Sequence, residues 1–365
     1  MAIKKTGISL DLIFHPGETL AEVLIEREIS QVELATRTGV SAAYVSNVIA
    51  GKKDISANFA MGLEYALDIP KSFWLNLQAN YEAELLELNE AMSITEEERE
   101  VREQLKDVVK VLREWRKIPE RESKDDSILS LRRALQISSL ENLKNVVPAG
   151  AFRLAPAKKV NGYVLGAWLR MCQISGEKHT ISTRFDGDRV DELIFELKRL
   201  MLQSSNNLPE ELRELLSRYG IDFTFMMNFN GAPVQGYICP KDDGTYQMVL
   251  TIRNAWADII WFSLFHELGH IVNGDVGKCA KFIDDGSDGD KEAAADLFAS
   301  NALLEPSSYK AFIGKQDFSF KAIRQYSASQ NVPPYILIGR LQKEKYLSYT
   351  SYSDYKVRYK WAKNN

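Results

Sequence analysis

Two histidines four residues apart bracket a glutamate in the run His266-Glu267-Leu268-Gly269-His270, and Glu292-Ala293-Ala294-Ala295-Asp296 follows 22 residues further on. On a helix this spacing places both imidazoles on one face, where they can share a single metal ion. Glu267 points about 100° away, toward the water that such a metal activates. A catalytic zinc keeps three protein ligands and one open position, and Glu292 on a second predicted helix is the natural third ligand. Asp296 stands one turn beyond it, where its carboxylate can accept the remaining N–H of a ligand histidine and set its tautomer. Asp290 is the rival acid for either role. Ile259, Ile260, Phe262, Leu264 and Phe265 are apolar enough to bury the first helix. Burying ionisable groups unpaired among them would cost on the order of several kcal/mol, a cost that a bound metal removes.

The chemistry this pattern supports is zinc-dependent peptide hydrolysis. Zinc polarises a carbonyl and lowers the pKa of water toward neutrality, while the glutamate takes the water proton and passes it to the leaving amine. Glu267 is the residue for that acid/base role, with His266, His270 and Glu292 as metal ligands. An oxyanion donor is also expected. His15, His179 and the many tyrosines are all eligible, and residue type alone does not rank them.

With 365 residues and 45% hydrophobic content, the chain is long enough for two or three domains with real cores. Its 46 basic and 50 acidic residues nearly cancel, to a net charge of -4, so any nucleic-acid contact must come from a local surface. Cys172, Cys239 and Cys279 are odd in number and widely spaced, which fits a reducing compartment better than a disulfide framework. Cys279 lies near the metal helix and reads as a small buried thiol rather than a ligand. Met1 to Leu10 lacks the apolar core of a signal peptide, and no run approaches the roughly 18 apolar residues of a membrane span. The expectation is a cytoplasmic protein without membrane contact.

The pattern predicts a mainly α chain with an α+β part. Residues 1–80 read as a helix-turn-helix bundle, 81–150 as a charged helical connector, 151–320 as a zincin-like metallopeptidase domain with a small β-sheet, and 321–365 as a C-terminal helical segment. In the first part, Leu20, Val23 and Leu24, then Val32, Leu34 and Ala35, then Val45, Val48 and Ile49 mark three apolar helix faces. Thr38-Gly39-Val40-Ser41 supplies the turn, with Ser41 placed to cap the next helix. That helix, Ala42 to Ala50, exposes Ala42, Ala43, Tyr44, Ser46 and Asn47 to a major groove. Arg37, Lys52 and Lys53 are the candidate phosphate contacts. The implied partner is operator DNA, bound by a homodimer across paired half-sites.

Further along, Leu105, Val108, Val109 and Leu112 keep helical spacing within the charged connector. Strands are expected at Ile221 to Met227, Gln235 to Ile238 and Tyr246 to Ile252, with Asp243-Gly244 turning the last two into a hairpin. The last of these, just before the zinc helix, is expected at the sheet edge, holding an extended substrate by main-chain hydrogen bonds. Gly274 to Gly289 superficially resembles a calcium loop. Gly286 and Ala295 stand where ligands should be, so it reads as a mobile loop joining the two zinc helices. Tyr346, Tyr349, Tyr352, Tyr355 and Tyr359 suggest a last helix packing an aromatic side on the body.

Several of these segments carry a family resemblance. Phe14-His15-Pro16-Gly17-Glu18, the turn around Gly39, Ile49-Ala50-Gly51-Lys52-Lys53 and Phe73-Trp74-Leu75 resemble HigA-type antitoxins of the Xre helix-turn-helix group. Trp261 to His270 and Glu292 to Pro306 resemble the ImmA/IrrE zinc metallopeptidases, and Trp168-Leu169-Arg170 and Ile338 to Gln342 resemble stretches of fusions of the two modules. The resemblance implies His266, His270 and Glu292 as zinc ligands and Glu267 as acid/base. It also implies a narrow protein substrate, a repressor or antitoxin-like regulator, or the chain itself cut in its connector. Ala294, Asp296 and Glu305 depart from the residues common in relatives. The rival expectation is a non-proteolytic antitoxin that represses its own operon and neutralises a cognate toxin, with the zinc domain as sensor or scaffold.

Overall fold

The computed structural model describes residues 13–147, 160–176, 181–203, 207–252, 255–276, 282–284 and 289–360. Among them the chain is mainly helical with one small sheet. It divides into two compact units. The first takes the chain up to Glu96 together with 124–129, and the second takes 97–123 and everything from Ser130 onward. No described helix is long and apolar enough to cross a membrane.

The first unit holds α1 (Pro16–Glu26), α2 (Gln31–Thr38), α3 (Ala42–Ile49), α4 (Ala57–Leu67) and α5 (Lys71–Met92). Its helix starts are written in capping residues. The Ser30, Ser41 and Ser56 hydroxyls accept from the amides of Glu33, Tyr44 and Phe59. His15 caps α1 through Nδ1, which accepts from the Gly17 amide at 2.9 Å. Gly39 takes φ +72 at the end of α2, a left-handed conformation that glycine adopts freely, and so turns the chain into α3. Leu20, Leu34, Val45, Val48, Phe59, Leu63 and Trp74 fill the core between these helices. Val32, expected on an apolar face, is instead 66% exposed. α5 continues through residue 80 without a break.

After α5 come α6 (Glu96–Gln104), α7 (Lys106–Glu114), α8 (Lys124–Ala134), whose residues 124–129 group with the first unit, α9 (Leu143–Val146) and α10 (Gly162–Gly176). Then follow α11 (Val190–Met201), α12 (Leu208–Ser217), β1 (Ile221–Met226), β2 (Gly236–Pro240) and β3 (Tyr246–Thr251). The chain closes with α13 (Ala257–Val272), β4 (Phe282–Asp284), α14 (Gly289–Leu303), α15 (Pro306–Gly314), α16 (Phe320–Ser329) and α17 (Pro334–Lys343). Glu305 caps α15 by accepting from the Ser307 and Ser308 amides, ahead of Pro306 in the first turn.

Strand order is β1-β3-β2-β4. β2 and β3 form the expected antiparallel hairpin, with Gly244 at φ +83 in its turn. β1 joins β3 in parallel. Strand periodicity sorts the residues by face. Phe223, Ile238, Met248 and Leu250 share a core with Trp261, Phe265 and Leu268 of α13. Gln247, of opposite parity, donates from Nε2 to the Cys172 carbonyl on α10 at 2.6 Å.

Three expectations are corrected here. β3 lies between β1 and β2, so its main chain is already paired on both sides and cannot hold an extended substrate. The segment between α13 and α14 is more than a connecting loop, because Phe282–Asp284 pairs with β2 as β4. Cys279 and residues 285–288 lie outside the described residues, as do His179 and Met1 to Leu10. Finally, the tyrosines after residue 345 do not share a helix; among them only Tyr355 lies in a single 3-10 turn, Ser353–Tyr355. Lys345 and Tyr352 have positive φ and the segment runs through turns, which also bring side chains back at a spacing of three. Tyr352 and Tyr359 still pack on the core, the latter tied by its amide to the Ala255 carbonyl.

Within the second unit Glu98 is a buried carboxylate bound to Arg132, the Ser139 hydroxyl at 3.1 Å and the Leu140 amide at 2.8 Å. Burial alone would raise its pKa, but these partners outweigh burial and hold it below its ordinary value of 4.5. Folding therefore gains from this group above the ordinary carboxylate range and loses that gain as pH falls through the lowered pKa. Removing one side of such a pair leaves a buried charge, so Glu98→Ala should cost about 3–5 kcal/mol in urea denaturation at neutral pH. The difference from wild type should shrink as the measurement moves to acid pH.

Candidate functional site

α13 and α14 cross closely because small residues face each other. A Cβ added at Gly269 would stand 3.2 Å from the Ala295 Cα. Ala295, Ala299 and Leu303, spaced by four, form the buried stripe of α14. Glu292 and Asp296 flank that stripe and so lie over the two histidines.

The resulting donor set is compact. One donor atom each from His266, His270 and Glu292 lie within 4.8 Å of one another. His266 Nε2 is 3.1 Å from His270 Nε2 and 3.0 Å from Glu292 Oε2, and His270 Nε2 is 3.5 Å from Glu292 Oε1. Around a tetrahedral zinc with bonds of about 2.0–2.2 Å, donor atoms stand roughly 3.3–3.5 Å apart, close to these separations. Each imidazole turns its other nitrogen to a carboxylate: His266 Nδ1 lies 3.0 Å from Asp296 Oδ1, and His270 Nδ1 lies 2.9 Å from Asp275 Oδ2. With the protons held on Nδ1, both Nε2 lone pairs face one another beside a carboxylate. Such a set repels itself unless a cation sits among its members, so the residues fit a metal of zinc type.

Burial raises the Glu292 pKa, yet the two imidazoles opposite more than offset this and leave it at about 2. It is therefore an anion at neutral pH, as a metal ligand must be. Asp296 is lowered by its bond to His266 and, against a contrary effect of burial, by Lys343, whose Nζ lies 3.2 Å from Oδ2. Asp290, the rival acid, is exposed and outside the cluster.

Two contributors escaped the sequence reading. Asp275 follows His270 by five residues, and its amide bonds back to the His270 carbonyl at 3.0 Å, so a C-terminal turn returns its carboxylate to the ring. The spacing His-x-x-x-x-Asp was a readable signal only once a turn after Val272 was known. Gly236 is the second. It sits on the β2 face that meets α13, where an added Cβ would fall 1.6 Å from Glu267 Oε1 and 2.2 Å from its carboxyl carbon. β2 thus makes a wall against which the Glu267 carboxylate rests, fully buried. Beside the cluster opens a cleft of about 730 Å³, whose walls include Phe262, Ser263, His266, Glu292, Leu303 and Lys343.

In the first unit, α3 presents Ala42, Ala43 and Ser46 to solvent, with Tyr44 and Asn47 half-buried. Tyr44 is partly committed to packing, edge-on to Phe59 at 5.1 Å and under the Lys53 ammonium at 5.1 Å. Arg37 is exposed and pairs with Glu33. Lys52 and Lys53 are exposed just beyond α3, their amides bonded to the Asn47 carbonyl.

Residues 20–74 match a family described as Helix-turn-helix, so the first unit carries an Xre-type helix-turn-helix domain. Solved structures share sequence with part of the chain. A HigA-family addiction module antidote protein from Coxiella burnetii is 28% identical over 23% of this chain and 96% of its own, with a TM-score of 0.21. The Pseudomonas aeruginosa antitoxin HigA, solved with the higBA promoter, is 32% identical over 23% of this chain and 97% of its own, with a TM-score of 0.22. PA4674 of Pseudomonas aeruginosa, solved with its 18bp operator DNA, is 38% identical over 20% of this chain and 80% of its own, with a TM-score of 0.20. No curated protein matches the chain.

The geometry makes two predictions. Asp275→Asn and Asp296→Asn should each weaken zinc binding about 10–100-fold, read by competition with a chromophoric chelator, because each removes the partner that orients a ligand imidazole. Gly236→Ala should cost about 1–3 kcal/mol in urea denaturation through overpacking. Most of that cost should vanish in Gly236→Ala/Glu267→Ala, since the two positions touch and their effects should couple.

Proposed function

We propose that this chain is a DNA-binding regulator whose second unit is a zinc-dependent endopeptidase acting on a regulatory protein or on the chain itself. The observation that supports the enzymatic part is the convergence of His266, His270 and Glu292, of which His266 and Glu292 line a cleft of about 730 Å³, with Glu267 on the same helix as the histidines. The resemblance of Trp261 to His270 and of Glu292 to Pro306 to ImmA/IrrE metallopeptidases supports it.

In this reading His266, His270 and Glu292 hold the ion. Bound there, zinc would supply Lewis acidity toward a carbonyl oxygen and lower the pKa of water toward neutrality. Asp296 and Asp275 keep both rings oriented with Nε2 as donor atoms, and Lys343 steadies Asp296 from the cleft side. Glu267 takes a proton from water and returns it to the departing amine. Its burial against Gly236 limits its rotamers, so the carboxylate is positioned rather than swept through solvent. Phe262, Leu303 and Leu304 give the cleft an apolar wall for side chains flanking the scissile bond.

The first unit contributes address. α3 offers small and hydrogen-bonding groups to base edges, and Arg37, Lys52 and Lys53 offer charge to phosphates. A homodimer on paired half-sites is the arrangement such modules use. A peptidase fused to that module would act on proteins gathered at the same promoter, which favours a repressor or antitoxin-like substrate over bulk protein.

The test is Glu267→Gln in the full chain, co-expressed with its genomic neighbours and followed by intact-mass spectrometry. The expected result is one zinc bound by both proteins, with a discrete cleavage product from wild type only. A non-proteolytic antitoxin predicts the same products and the same operon repression from both, and that result would overturn the proposal.

A further inference from the structure

His270 Nε2 stands by Glu292 at 3.5 Å and His266 Nδ1 by Asp296 at 3.0 Å, so α13 and α14 run in opposite directions. Phe262 lies one turn before His266 on α13, and Asp296 one turn after Glu292 on α14. Both steps therefore lead the same way along the cleft, away from His270. α17 forms its third side and sends Lys343 between the other two helices. The ammonium lies 3.2 Å from Asp296 Oδ2 and 4.6 Å from the centre of the Phe262 ring. That places it about one helical turn, roughly 5–6 Å, along the cleft from the metal-ligating side chains. An extended peptide advances about 3.3 Å per residue, so with its scissile bond at those ligands it meets Lys343 one to two residues away.

Three cations line the cleft, and each has an acid partner: Arg340 with Glu344, Lys343 with Asp296, and Lys356 with Asp258. No cation is in excess, so the surface favours a neutral acceptor such as a main-chain carbonyl over a substrate carboxylate. Two of the three are committed to the protein. Arg340 stacks on Tyr309 at 3.7 Å and donates to the Ser300 carbonyl at 3.1 Å and to Glu344 at 2.8 Å. Lys356 is covered, between Asp258 at 2.8 Å and Gln342 Oε1 at 3.1 Å. The Lys343 side chain, by contrast, is 64% exposed. An ammonium carries three N–H donors, and one carboxylate oxygen and one ring face do not exhaust them. Lys343 is thus held in position by both walls while keeping donor capacity toward the cleft.

We propose that Lys343 is a substrate-binding residue, its ammonium donating to a main-chain carbonyl one or two residues from the scissile bond; this rests on the zinc-peptidase reading above. The test uses the full chain at saturating zinc and isothermal titration with two probes. Acetohydroxamate offers a metal-chelating group and no peptide carbonyl beyond it. A hydroxamate extended by leucyl-alanine amide adds an apolar side chain and peptide carbonyls. Wild type should bind the extended probe more tightly than the short one. Lys343→Met keeps the aliphatic stem, and it should bind the extended probe about tenfold more weakly with acetohydroxamate affinity and circular dichroism unchanged. Lys343→Arg should recover part of the loss. Extended-probe affinity equal in Lys343→Met and wild type overturns the proposal. So does an equal loss for both probes, which would confine Lys343 to steadying Asp296. A wild type that binds neither hydroxamate would overturn the metal-centre reading itself, and the proposal with it.

Discussion

The approach of α13 to α14 is the constraint on which the candidate centre depends. Two imidazoles on one helix need only the helical repeat to be parallel, but they become a tridentate site only when a carboxylate from another element arrives within about one bond length plus one bond length of both. Gly269 and Ala295 permit that distance, and Ala299 and Leu303 continue the contact along α14. A larger residue at the crossing would push Glu292 outward while leaving both helices intact. The donor set is thus a property of backbone separation before it is one of ligand identity.

Around that crossing the second unit is organised in layers. The sheet packs Phe223, Ile238, Met248 and Leu250 against α13, which immobilises the helix through its apolar side and leaves the histidine side toward α14. The same strand face carries Gly236, so a single β2 residue joins the core packing to the placement of the Glu267 carboxylate. Asp258, at the start of α13, is buried with Lys356 at 2.8 Å, and Gly339 on α17 makes room for it. The N-terminal end of α13 is therefore anchored as well. The first unit is built by different means: short helices with serine caps around a Leu, Val, Phe and Trp core. Its function rests on what α3 leaves exposed.

What could be read beforehand was whatever has a local period. The i, i+4 histidines, the alternating strands, the Asp243-Gly244 hairpin and the Gly39 turn each depend on a few consecutive residues. Asp275 and Gly236 were missed for opposite reasons. Asp275 acts through a turn whose direction no periodicity reports, and Gly236 acts by having no side chain where another residue's carboxylate must lie. The expected edge position of β3 failed because strand order depends on which chain segments return to the sheet, and both β1 and β2 flank it. The tyrosines near the C-terminus misled because a recurrence of three or four residues also arises in successive turns.

From its amino acids alone, this protein had a helix-turn-helix module, a mainly α architecture with a small sheet, and the identities of two histidines and two acids able to surround a metal. These follow from backbone propensity and from residue spacing within single elements, which act over one or two helical turns. Only the tertiary structure decided that Glu292 and not Asp290 meets the histidines, that two carboxylates rather than one orient them, and that a glycine wall confines Glu267. Those outcomes depend on distances between elements far apart in the chain, and such distances are set by how side chains of particular volume pack, not by any pattern along the sequence.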